Sequence, residues 1–256
     1  MSRAEDPIPR ARRKPLSPIA VAGLVLAVLA ALAALLPGPA YRFGGWSLDT
    51  AFAALRWAVY AGMGAVVVSI IGAILARPGG PYRGFPYAVA GVLISLVVVG
   101  VPLAYLRTAQ GVPPIHDIAT DTENPPAFEA ILPLRADAPN PAVYAGEETA
   151  AQQRGAYPEI KPQVLPVLPD EAFERALAVT REMGWEIVAA EKSEGRIEAT
   201  DTTFWFGFKD DIVIRIQPAE AGSRMDVRSA SRVGVGDLGV NAARIRRFLE
   251  RLQGQG

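Results

Sequence analysis

Three stretches of the chain, residues 17 to 36, 51 to 76 and 85 to 106, are almost uncharged apolar runs, and nothing after residue 110 resembles them. Each is long enough to cross a hydrocarbon layer of about 30 Å as a helix. Further along, the period of the pattern changes. "PDEAFERALAVTREMGW" sets Phe173, Ala176, Leu177 and Thr180 at helical spacing, with Asp170 as the N-cap and Gly184 as a left-handed stop. "WEIVAAE" and "RIEATDT", separated by "KSEG", read as a first hairpin whose mixed residues leave its inward face open.

"DIVIRIQ" and "RMDVRSA" around "PAEAGS" read as a second hairpin with a defined register. Aligning Gln217 with Arg224 sets Ile216 opposite Met225, Ile214 opposite Val227 and Ile212 opposite Ser229, which gathers the apolar side chains on one face. The other face then holds Arg215 opposite Asp226 and Arg228 diagonal to Asp211, cross-strand pairs each worth about 0.2 to 1 kcal/mol. In "GVNAARIRRFLERLQ", Ile245, Phe248, Leu249 and Leu252 make a helical stripe. Asn241 falls inside that stripe and Arg244 on its flank, so Asn241 must find buried partners, with Ser229 and Ser231 in position to serve. The fold class expected is α+β: three transmembrane helices followed by a soluble antiparallel sheet of about four to five strands with two principal helices.

Between the apolar runs and these elements lies a segment with prolines at 113, 114, 125, 126, 133, 139, 141, 158, 162, 166 and 169. Proline fixes φ and lacks the amide donor, so residues 110 to 169 are expected as extended chain, with "KPQVLPV" as an edge strand. The organisation is then a basic tail (1 to 16), a three-span region (17 to 109), the proline-rich segment (110 to 169) and an α+β domain (170 to 256).

The net charge of zero conceals an asymmetry: residues 1 to 106 carry nine Lys and Arg against three Asp and Glu, and the remainder seventeen against twenty-three. An acidic soluble part excludes nucleic acid as its partner and leaves the lipid bilayer as the expected one. Arg3, Arg10, Arg12, Arg13 and Lys14 precede the first run, and Arg77 and Arg83 lie between the second and third. Cationic short loops stay on the cytoplasmic side, so the expected topology has the N-terminus inside and the C-terminal domain periplasmic or extracytoplasmic. A rival reading cleaves residues 1 to 40 as a signal peptide and leaves the domain on the same side. Arg56 is the one ionisable residue within the runs and lies near an end, which argues against a proton relay or transporter. The chain has no cysteine, which excludes disulfides and thiolate metal sites.

"RSASRVGVGDLGVN", residues 228 to 241, concentrates polar side chains at the junction of the last strand and last helix. As a structural junction, Ser229, Ser231 and Asn241 satisfy one another, Gly234, Gly236 and Gly239 turn the chain, and Asp237 caps the helix. As a binding site for an envelope ligand or protein, Arg228, Ser229, Ser231, Arg232, Asp237, Asn241 and Arg244 form its polar lining. The glycines make no phosphate-binding loop, because no Lys-Ser/Thr follows them, and no cofactor is implied. An envelope hydrolase would draw on Asp210, Asp211 or Asp237, although adjacent strand residues such as Asp210 and Asp211 point to opposite faces. His116, the one histidine, lies near Asp117, Asp121 and Glu123 in a spacing that matches no metal loop.

"IHDIATDTENPPAF", "GWEIVAAE", "FWFGFKDDIVIRI" and "VRSASRVGVGDLGVNAARIRRFLERL", in that order, resemble the bacterial and plastid domain of unknown function family 1499 over about residues 113 to 252. The resemblance implies an exported α+β domain after a signal or membrane segment, and brings no catalytic residues. Many members of that family carry a cysteine just after an Asn-Pro near the start of the domain. "NPP" at 124 to 126 has none, which puts a shared thiol chemistry in doubt.

Overall fold

The computed structural model describes residues 13–254, so Arg3, Arg10 and Arg12 of the basic tail lie outside the described residues. The chain forms two compact units, Met1–Ala104 and Tyr105–Gly256.

In the first unit the apolar runs are helices, and three are long and apolar enough to cross a membrane. α1 (Pro18–Leu35) is capped by Ser17, whose hydroxyl accepts from the Ala20 amide, and Pro37 opens a short continuation, α2 (Pro37–Gly44). α3 (Leu48–Ala76) is followed by α4 (Phe85–Gly111). Helices in lipid gain little from hiding apolar surface from one another, so small residues let them approach. Ala58 and Gly62 begin such a row on α3, which continues through Ala65, Ser69 and Gly72. A Cβ on Gly23 would lie 2.6 Å from Ser69 Oγ, and one on Gly72 2.7 Å from Ala20 Cα. At the basic end, Lys14 Nζ donates to the Gly80 carbonyl at 2.6 Å and the Ser17 amide to the Arg83 carbonyl at 2.9 Å.

The second unit is an α+β domain built on a six-stranded antiparallel sheet in the order β1-β6-β5-β4-β3, with β2 also paired to β6. Its elements are β1 (Asp117–Ala119), α5 (Glu147–Ala156), β2 (Gln163–Leu165), α6 (Pro169–Glu182), β3 (Glu186–Glu191), β4 (Arg196–Thr202), β5 (Lys209–Ala219), β6 (Gly222–Ser231) and α7 (Val240–Gln253). The β5/β6 register pairs Gln217 with Arg224, Ile214 with Val227 and Ile212 with Ser229, as the alternation of apolar residues requires. Phe173, Ala176, Leu177 and Thr180 are buried on α6. The residue at the N-cap of α6 is Leu168, not Asp170: Pro169 starts the helix with its φ already set, and Asp170 sits in the first turn.

The proline-rich segment is not simply extended chain. It supplies β1, β2, α5 and a 3-10 turn at Leu132–Arg135, so the sheet has six strands and the domain a third helix. α5 falls within residues 142 to 157, the longest proline-free stretch of the segment. The core lies between α6, α7 and one face of the sheet, where Trp185 stacks on Phe248 with ring centroids 5.7 Å apart. Residues 120 to 145 cover the other face, where Phe128 and Ile131 meet Val213 and Ala230.

Candidate functional site

The junction after β6 is a closed hydrogen-bond network on the helix face of the sheet. Ser229 Oγ donates to Asn241 Oδ1 at 2.6 Å, and Asn241 Nδ2 donates to Ser231 Oγ at 2.9 Å and to the His116 carbonyl at 3.0 Å. Arg244, one turn on, reaches Ser229 Oγ at 3.1 Å, Asp201 Oδ2 at 2.9 Å and Asp210 Oδ2 at 2.6 Å. Asp237 accepts from the Gly239 amide at 2.8 Å and the Asn241 amide at 2.7 Å, satisfying donors that the start of α7 leaves open. Burial pushes the Asp237 carboxyl above its ordinary range, only partly opposed by those two amides, and nearby Asp210 adds to the rise. Gly234 and Gly239 turn with positive φ, whereas Gly236 instead closes against Pro114. Leu238 also has a positive φ, 57°, although it is not glycine.

Arg228 and Arg232 lie on the opposite face, because alternate residues of a strand point to opposite sides. Arg228 does not turn to Asp211. β1 delivers Asp117 beside it, and the two pair at 2.9 and 2.7 Å. The same guanidinium sits 4.7 Å over the ring of Phe128 and 5.5 Å over that of Tyr144. The phenol of Tyr144 is pushed up to about 12 by burial and by the neighbouring Asp117.

Asp211 accepts from Arg232 at 2.8 Å, Arg135 at 2.8 Å and Thr200 Oγ1 at 2.7 Å. Burial alone would raise its carboxyl; the hydrogen bonds from Arg232, Thr200 and Arg135 outweigh burial and hold it below its ordinary range. Asp226 is bound by Arg215 and Arg224, which Asp121 bridges from the covering segment. Glu198, on β4, accepts the consecutive amides of Glu129, Ala130 and Ile131 at 2.9 to 3.0 Å, and pairs with Arg196.

The seven polar residues singled out from the sequence therefore do not share one pocket. Ser229, Ser231, Asp237, Asn241 and Arg244 converge at the start of α7, while Arg228 and Arg232 tie down the covering segment. The three aspartates of a hydrolase are divided as well. Asp210 and Asp211 face opposite sides, each held by arginine, and Asp237 is occupied as a cap. Among the described residues no group of three His, Cys, Asp or Glu is placed to hold a metal ion.

A groove of about 370 Å³ runs beside α7, lined by Met183, Trp185, Asp201, Val240, Arg244, Arg247 and Arg251 among others. Arg244, Arg247 and Arg251 recur at helical spacing along its wall. Arg244 is occupied by Asp201 and Asp210, and Arg251 donates to the Glu182 carbonyl at 3.2 Å. Arg247 is exposed and has no ion pair or hydrogen bond among the described residues. The sequence held the signal for this wall, but it reads equally as the solvated back of an amphipathic helix. What Arg247 faces depends on where α6 ends.

A comparison with curated proteins found no match. The family described as protein of unknown function, DUF1499, matches residues 117–252, from the start of β1 to the last turn of α7, and the chain belongs to that family.

Proposed function

We propose that this chain is a membrane-anchored binding module of the cell envelope whose C-terminal domain takes an anionic ligand in the groove beside α7. The observation that carries this reading is Arg247, an exposed guanidinium with no partner among the described residues, on a groove that Met183 and Trp185 also line. The groove's size falls in the range of small-molecule sites, about 300 to 1,000 Å³, and its mix of apolar lining and convergent cations suits a carboxylate or phosphate with an apolar body. Binding is favoured over hydrolysis because the groove's lining holds no Ser, Thr, Cys or His, and of its two carboxylates, Glu182 and Asp201, Asp201 is already paired with Arg244.

The topology belongs to the same proposal. Lys14 and Arg83 lie at one end of the apolar helices, and retention of positive charge on the cytoplasmic side supports a cytoplasmic position for that end. Three crossings then carry the domain to the periplasm or cell exterior.

The test is thermal unfolding of the full chain in neutral detergent with inorganic phosphate, succinate or decyl phosphate, for wild type and Arg247→Ala. A ligand at a hundred times its dissociation constant raises stability by about 2.7 kcal/mol. Arg247→Ala is expected to unfold like wild type without ligand and to lose the ligand-dependent rise. No rise with any of the three anions, or an equal rise in the variant, overturns the reading.

A further inference from the structure

The turn between β4 and β5 reads "TFWFGF", and Phe204 at its tip is 90% exposed. The loop from β6 to α7 lies at the same end of the sheet, because the Arg232 amide donates to the Lys209 carbonyl at 3.0 Å where β5 begins. On that loop Val235 is 80% exposed, and Leu238 and Val240 are exposed beside it. Single exposed apolar residues are ordinary, but several on adjoining loops mark a surface that meets something. Leu238 strengthens the case. It holds a left-handed conformation that glycine adopts without strain, so backbone geometry does not explain an apolar side chain there.

The covalent path out of α4 selects the occupant. Only residues 112 to 116 separate the end of α4 at Gly111 from β1 at Asp117, a reach of at most about 18 Å. Those residues pack on this loop: the Asp237 amide donates to the Ile115 carbonyl at 3.1 Å, and a Cβ on Gly239 would lie 3.6 Å from Val112 Cγ1. The opposite end of the sheet, where exposed Leu168 precedes α6, lies the length of β6 away, about 33 Å for ten residues. The exposed apolar end is thus the end tied by a short tether to a helix of membrane-spanning length.

We infer that this end of the domain, through Phe204, Trp205, Val235 and Leu238, docks on the lipid surface in which the apolar helices are set. Aromatic rings partition into the headgroup region, where an apolar body and a polar edge are both accommodated. Exposed Lys209 at the base of the turn suits an anionic headgroup. The inference rests on the membrane anchoring of the chain and is independent of any ligand in the groove.

Because the chain lacks cysteine, single-cysteine variants of the full chain can carry an environment-sensitive nitrobenzoxadiazole label. Val235→Cys, Leu168→Cys and, within α4, Leu93→Cys would be reconstituted into vesicles of phosphatidylcholine and phosphatidylglycerol containing doxyl-labelled lipids. The label at Val235 is expected to emit at shorter wavelength than that at Leu168 and to be quenched by headgroup-proximal doxyl groups, and Phe204→Asp is expected to weaken both effects. Equal solvent exposure of the two labels overturns the inference, as does a blue shift at Val235 that the doxyl lipids do not quench, which would indicate a protein contact. A Leu93 label that the lipids fail to quench removes the membrane anchoring itself.

Discussion

On one face of the C-terminal sheet Ile212, Ile214, Ile216, Met225 and Val227 meet α6 and α7; on the other Glu198, Asp211, Asp226 and Arg228 meet a proline-rich stretch of chain. Both faces are covered, and they are sealed by different physics. Apolar burial is non-directional and roughly proportional to area, so the helix face depends on volume and tolerates substitutions that keep it. Buried charges cost several kcal/mol each unless they are paired and hydrogen-bonded, so the other face depends on where its partners are placed. A segment with eleven prolines cannot form long helices or inner strands, so specific ion pairs join the edge pairing of β1 and β2 and the small cluster of Phe128 and Ile131 in holding it in place.

The sharpest way to break this comparison is to damage each face equally and then lower the pH. Asp211→Ala strands Arg135, which is almost fully buried, together with Arg232, and should cost about 3 to 5 kcal/mol. Phe248→Ala opens a cavity in the helix-face core at a similar cost, about 3 to 5 kcal/mol. The Asp211 carboxyl sits below its ordinary range in the folded chain, so the stability it lends is complete above the unfolded value and is lost as pH falls through the folded one. Denaturant unfolding below about pH 4 should therefore show the gap between wild type and Asp211→Ala closing while the gap to Phe248→Ala persists. Equal pH dependence of the two variants would mean that the charged face is not held by its charges.

A smaller effect is expected where the helix face itself turns polar. Asn241→Ala leaves Ser229, Ser231 and the His116 carbonyl short of partners and should cost about 1 to 3 kcal/mol, with little change between neutral and acid pH. The smallest belongs to a pair outside both faces. Glu171→Gln removes a surface pair with Arg175 one turn along α6 and should shift stability by about 0.3 to 0.5 kcal/mol, an effect that salt erases.

The helix face was legible in the sequence because its signals are periodic. Strict alternation in "DIVIRIQ" and "RMDVRSA" set the register, and the placement of Asn241 within an apolar stripe pointed to Ser229 and Ser231. The charged face was not legible for the matching reason. Arg215 opposite Asp226 reads as an ordinary solvated cross-strand pair, and nothing in the text of β5 and β6 shows that Asp121, Asp117 and Arg135 arrive from more than seventy-five residues away in sequence. Prolines also erase periodicity, so β1, the 3-10 turn and the cover they build left no repeating trace. Arg247 fell into the same gap, since an arginine on the outer side of α7 carries no sign of what lies across from it.

Glu198 takes the amides of three residues that precede it by 67 to 69 positions. Synthesis runs from the N-terminus, so the cover leaves the ribosome well before the carboxylate that fastens it. Until β4 is made, those amides lack the carboxylate that receives them in the folded domain. The cover's abundant prolines suit that interval, because a chain that cannot propagate a helix or an inner strand offers little for premature pairing. The distance between a carboxylate and the three amides it receives thus sets the earliest moment at which that lock can close.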